Sequence, residues 1–161
     1  MTDSPPTIRR ARVADAATVQ MLLLELADHE HSAHAVHVDV DGWDRILARP
    51  DVLVLLSFLD GKPVGYVSGV FELNLWQGRP IFAMDDLYVR AAARDRGIGG
   101  RLMAALAAEV LDQGLLITWG VAADNVDGHR FYERLGATLR AKIVASWQPH
   151  DYAAYLAAQR S

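Results

Sequence analysis

The stretch from Asp85 to Leu102 most constrains what this chain can fold into. Leu87, Tyr88 and Val89 read as the end of a strand, Gly97, Gly99 and Gly100 as a tight turn, and Leu102, Leu106 and Val110 as the apolar stripe of a following helix. Glycines at the turn can take backbone angles closed to other residues and let a ligand approach bare amides. The first amides of a helix have no intrahelical partner, and the helix dipole adds about 0.3–1 kcal/mol for a nearby negative charge. Arg90, Arg94, Arg96 and Arg101 crowd the same turn, although the chain's net charge is −4. A phosphate-bearing ligand is therefore expected at this turn.

What is missing narrows the ligand. A dinucleotide fingerprint needs a glycine where Leu102 stands, and a nucleoside-triphosphate loop needs Gly-Lys-Ser/Thr, which is absent. The pattern that remains, Arg-x-x-Gly-x-Gly at Arg94, Gly97 and Gly99, resembles the pyrophosphate-binding signature of the GNAT superfamily of N-acetyltransferases, which holds coenzyme A there. A second segment, Asn125 to Gly136, is similar to that superfamily's Asn-x-x-Ala-x-x-Phe-Tyr-x-x-x-Gly, with Gly128 where alanine is usual and Ala137 where phenylalanine often follows. Asn125 and Tyr132 lie two helical turns apart, so both are expected on one face of a helix.

Within the superfamily the chain most resembles the diamine (spermidine/spermine) and thialysine N-acetyltransferase group. Ile81 to Val89 is similar to that group's apolar-Glu-Asp-x-Tyr-Val strand, and Glu25-Leu26-Ala27, Trp76-x-Gly78 and Trp147 extend the likeness. Asp85 stands where the group has glutamate, a reach shorter by one methylene. The resemblance implies a single-domain α/β GNAT fold over residues 1–161, with a flexible tail at 1–6 and a mixed, mostly antiparallel sheet flanked by helices. It implies acetyl-CoA as cosubstrate, a homodimer, and cofactor contacts from Arg94, Asp95, Arg96, Gly97, Ile98, Gly99 and Gly100, from main-chain groups of Leu87, Tyr88 and Val89, and from Asn125 and Tyr132. Asp85, Asp86 and Trp76 become the expected acceptor-binding residues.

The chemistry can be argued from the side chains themselves. An alkylamine has a pKa near that of lysine, about 10.4, so it arrives protonated and something must take the proton. Asp85 and Asp86 precede the cofactor turn, and because adjacent strand residues point to opposite faces, only one can face the acceptor unless a bulge intervenes. Attack on a thioester expels a thiolate, for which the resemblance implies the phenol of Tyr132 as proton donor. The resemblance also implies main-chain amides near Leu87 to Val89 as donors to the reacting carbonyl oxygen. The absence of cysteine excludes a thiol acyl-enzyme, thiolate metal sites and disulfides.

In chain order, Thr7–Val13 reads as a strand, with Asp15 capping a helix that runs to about His29. Four of the six histidines follow at 29, 31, 34 and 37, at no structural zinc spacing, so a solvated loop and no metal are expected. A short helix at 39–48, strands at 52–59 and 63–73 joined by Asp60-Gly61, the central strand at 81–89, a strand at 115–121, a helix at 125–135, a closing strand at 137–147 and a terminal helix at 151–159 complete the reading. The negative charge argues against nucleic acid as partner and suits a cationic acceptor. No signal-peptide pattern or membrane-length apolar run is seen, so a cytoplasmic protein is expected. The expected activity is direct acetyl transfer from acetyl-CoA to a small primary amine, a diamine or an amino-acid-like amine. The alternatives are a protein amino terminus or lysine as acceptor, or an acyl-CoA-binding module without turnover.

Overall fold

The computed structural model describes residues 5–160, so the first four residues of the expected tail lie outside the described residues. The chain divides into two compact units, one running to Gly120 and the other beginning at Val121.

The first unit holds a five-stranded sheet in the order β1 (Thr7–Arg10), β2 (Val52–Leu59), β3 (Lys62–Asn74), β4 (Arg79–Val89) and β5 (Ile117–Thr118). The first four strands are antiparallel neighbours, and β5 is parallel to β4. Asp60 and Gly61 both take positive φ, 49° and 74°, which gives the two-residue turn expected between β2 and β3. Strand alternation then sorts the core. Val54, Leu56, Tyr66 and Tyr88 face α1 (Ala16–His29) and α2 (Val40–Leu47), where they pack with Val19, Leu22, Leu26 and Trp43. Residues of the opposite parity, Leu53, Leu55, Val67 and Phe82, are buried on the face covered by α3 (Ile98–Leu111), whose Ile98, Leu102 and Leu106 are also fully buried.

The register of β3 and β4 slips by one residue. Ser68 lies opposite Asp86 but Gly69 lies opposite Met84, so Asp85 is an extra residue bulged out of the ladder. Gly69 is required there. A Cβ at that position would run into the Ala83 carbonyl and sit 2.7 Å from a Phe82 ring carbon and 2.8 Å from the Met84 Cα. A bulge bends its strand, and β4 pairs with β5 only at Phe82 and Ala83, just short of the bulge.

Several expectations are corrected. β1 ends at Arg10 rather than Val13, because the Asp15 carboxylate reaches backward to the Arg12 amide (2.8 Å) and forms a bidentate pair with Arg9, folding Val13–Asp15 into a 3₁₀ turn. Asp15 sits at the N-cap of α1 but makes no side-chain cap there. The strand expected at 115–121 shrinks to the two residues that pair with β4, Ile117 and Thr118.

The second unit contains α4 (Val126–Arg134) and α5 (Pro149–Ala158). No strand forms over 137–147, and Ile143 and Val144 are 94% and 89% exposed. A strand exists through hydrogen bonds to a neighbour, and an apolar alternation does not by itself supply one.

Candidate functional site

The bulge decides the geometry of the two central carboxylates. Counting up β4 from Ile81, Asp85 falls on the face of Ile81 and Ala83; counting back from Tyr88, Asp86 falls on that same face, opposite Ser68. Both carboxylates therefore point to the α1 side of the sheet, where regular alternation would have sent one of them to each side. Asp86 is half-buried and accepts a hydrogen bond from the Tyr66 hydroxyl at 3.1 Å; Tyr66 itself is fully buried. Burial pushes the Asp86 carboxyl above the usual carboxylate range, with Glu30 adding to the rise and hydrogen bonds from Tyr66 and Ser68 opposing it. Asp85 is more exposed, and its carboxyl is also raised, by desolvation and by the charges of Asp86 and Glu72. Burial beside Asp86 drives the Tyr66 phenol well above its ordinary value, so it stays a donor at every working pH.

Glu30, Glu72 and Tyr66 did not stand out in the sequence. Glu30 lies just past α1, more than fifty residues before Asp86, and Glu72 shares the Asp85 face only because β3 and β4 pair. Tyr66 offered one cue, a place two residues before Ser68 in an alternating strand, but no cue for the slip that sets Asp86 beside it.

Beyond β4, a 3₁₀ turn at Ala91–Ala93 leads into Asp95 and Gly97, both with positive φ (63° and 70°), and Gly97 caps α3 with no side-chain hydrogen bond. The first amides of α3 thus lack both an intrahelical partner and a side-chain cap. Arg94 and Arg96, just before them in the chain, are exposed, and a Cβ at Gly97 or Gly100 would meet nothing within 4 Å. An uncapped helix start with room at its glycines and two exposed arginines just before it fits a pyrophosphate. Past Ala83, the side of β4 away from β3 has no paired strand among the described residues, and the Val89 carbonyl accepts from Arg94 Nε at 2.9 Å.

One of the four arginines is withdrawn from the turn. Arg90 forms a bidentate pair with Glu25 of α1 (2.8 and 2.6 Å) and donates to the Pro63 carbonyl at 2.7 Å. The Arg90 guanidinium holds the Glu25 carboxyl below its ordinary range, and Tyr88 also donates to Glu25 at 3.4 Å. Arg90 is a strut between α1 and the end of β4, a distinction that needs the position of Glu25.

Asn125 and Tyr132 belong to the second unit. Asn125 is the N-cap of α4, its side chain accepting from the Gly128 amide at 2.9 Å, rather than a residue on the helix face. That contact accounts for Gly128, where a Cβ would come within 2.6–2.9 Å of the Asn125 side chain. Tyr132 is half-buried with its ring 5.1 Å from that of Phe131, and burial pushes its phenol up. Trp76 stands fully exposed at the tip of the β3–β4 hairpin, where the Asn74 side chain accepts from the Trp76 and Gln77 amides. Trp147 packs against Tyr152 and Tyr155, ring centroids 5.9 and 5.4 Å away. Among the described residues no group of three metal-ligating side chains occurs, and no helix is long and apolar enough to cross a membrane.

The model of the family described as "Acetyltransferase (GNAT) family" matches residues 18–137. Two curated relatives are similar: the thialysine N-epsilon-acetyltransferase of Bos taurus, 28% identical over 146 residues, and that of Mus musculus, 27% identical over the same length. Each match covers 81% of this chain and 82% of the relative. Among solved structures, an aminoglycoside acetyltransferase from an uncultured soil metagenomic sample in complex with sisomicin superposes with a TM-score of 0.77 at 17% identity, covering 89% of this chain and 95% of that one. The aminoglycoside N-acetyltransferase AAC(6')-Iy in complex with CoA gives 0.74 at 17% identity, covering 91% and 96%. These structural likenesses show a shared fold.

Proposed function

The chain belongs to the acetyltransferase (GNAT) family and is an acetyl-CoA-dependent N-acetyltransferase; from that premise we propose that its acceptor is a small primary amine, a diamine or an amino-acid-like amine of the thialysine kind. The observation that carries this reading is the bulge at Asp85, which sets two carboxylates on one face, with Glu30 and Glu72 adding to their negative field. Such a field favours an acceptor with more positive charge than the amine that reacts. The thialysine acetyltransferases among the relatives support the same substrate class.

In this reading Asp85 and Asp86 bind the ammonium and take its proton, directly or through water. Their pKa values, raised by desolvation and neighbouring negative charge, make them stronger bases than ordinary carboxylates. Acetyl-CoA supplies the thioester, with Arg94, Asp95, Arg96, Gly97, Ile98, Gly99 and Gly100 holding its pyrophosphate and Asn125 lining its path. As the C–N bond forms and the C–S bond breaks, amides of the Leu87 to Val89 edge donate to the carbonyl oxygen and Tyr132 gives its proton to the departing sulfur. Burial keeps that phenol protonated until it is needed. Trp76 is assigned to the acceptor side. The two units act as one acetyltransferase domain, which works as a homodimer in the cytoplasm; sedimentation of the purified protein tests the dimer.

The activity is tested by acetyl-CoA-dependent thiol release against spermidine, thialysine, an aminoglycoside and a peptide amino terminus. Turnover on spermidine or thialysine with loss of kcat/KM in Asp85→Asn supports the reading. Turnover confined to the peptide moves the acceptor to protein, and acetyl-CoA binding with no turnover on any amine leaves a binding module.

A further inference from the structure

The geometry points to Tyr66 as a positioning residue for the acceptor site, its hydroxyl fixing the Asp86 carboxylate in the orientation and charge state that proton removal from the amine requires. The inference rests on the reading above that Asp86 lies at the acceptor. Tyr66 is fully buried between the sheet and α1, with its ring 6.3 Å from that of Tyr88 and its hydroxyl 3.1 Å from Asp86 Oδ2. A phenylalanine would fill the same apolar space, so packing alone does not call for the oxygen. A buried hydroxyl needs a partner, and the Tyr66 hydroxyl donates to Oδ2 of the Asp86 carboxylate.

The groups facing Asp86 are few. Tyr66 and Ser68 come from β3, Glu30 from the end of α1, and Asp85 from its own strand. Burial and Glu30 favour the protonated acid, whereas Tyr66 and Ser68 donate to the ionised form. Hydrogen bonds to charged groups are the stronger kind. Without the Tyr66 hydroxyl, Asp86 would hold its proton to higher pH and would no longer serve as an acceptor of protons in the acid part of the working range.

The test is the pH dependence of kcat/KM for the amine in the wild type, Tyr66→Phe and Asp86→Asn, together with the carboxyl carbon titration of Asp86 by NMR in the first two. In Tyr66→Phe the acid limb moves up by about one pH unit, so that kcat/KM falls about tenfold below the limb and stays within about twofold on the plateau. The Asp86 titration moves in the same direction, and the KM for acetyl-CoA does not change. A Tyr66→Phe profile that overlays the wild type, or one lowered equally at every pH beside an unmoved Asp86 titration, overturns the inference while Asp86→Asn remains impaired. If Asp86→Asn keeps full kcat/KM, Asp86 is not at the acceptor and both readings fall.

Discussion

At the level of single residues, the sharpest consequences concern Tyr132 and Asp85. Tyr132→Phe removes one oxygen from a half-buried ring, and kcat is expected to fall by about 10²- to 10⁴-fold while the KM for acetyl-CoA changes little; steady-state kinetics in both substrates reads the split. An equal loss in cofactor affinity would instead assign the ring to packing. Asp85 carries a raised pKa from desolvation and from the charges of Asp86 and Glu72, which is a statement about stability as well. Between the ordinary carboxylate pKa and the raised one, the folded chain holds a proton that the unfolded chain has lost. Stability from this group is therefore full below the ordinary value and is lost as pH rises through the raised one. Asp85→Asn is expected to raise the melting temperature at pH 7 and to leave it near wild type at pH 3, while activity falls.

At the level of elements, the two jobs that the proposed function gives to β4 and the turn after it can be separated by small changes. Gly69→Ala pushes a methyl group into the backbone opposite the bulge, with an expected loss of about 1–3 kcal/mol in urea unfolding and a drop in amine turnover as the Asp85–Asp86 geometry relaxes. Gly100→Ala is its counterpart on α3, where a Cβ meets nothing within 4 Å. Alanine in a helix is more stable than glycine by about 0.5–1 kcal/mol, so this variant is expected to melt later. If the pyrophosphate sits against these amides, calorimetry will nonetheless show weaker acetyl-CoA binding, because the new methyl occupies the space in front of them. Unchanged affinity would move the cofactor away from this turn. The Glu25–Arg90 pair explains why the turn starts where it does, since it ties α1 to the last residue before the 3₁₀ turn.

At the level of the whole molecule, a chain of net charge −4 that gathers carboxylates on one sheet face should attract cations from a distance. For spermidine, kcat/KM is expected to fall as ionic strength rises, and to fall more steeply than for a monoamine, because exposed charges are screened beyond about 8–10 Å in ordinary buffers. A salt-independent ratio between the two amines would remove the electrostatic part of the acceptor argument. Much of this protein was legible without coordinates. The β2–β3 turn at Asp60-Gly61, the apolar stripe of α3 and the glycine turn at its start are local patterns, fixed by periodicity and by the backbone freedom of a few residues, and the structure contains them. The strand expected at 137–147 was not found, since strands depend on partners that no local pattern names. Arg90 looked like one more cation for the phosphate until α1 placed Glu25 against it. The same dependence on partners governs the centre of the site. Sequence alone determined that two aspartates would stand at the end of a strand before a glycine-rich turn. Only the pairing of β3 with β4 decided that both face one side, because a bulge is a slip between two strands and belongs to neither one alone.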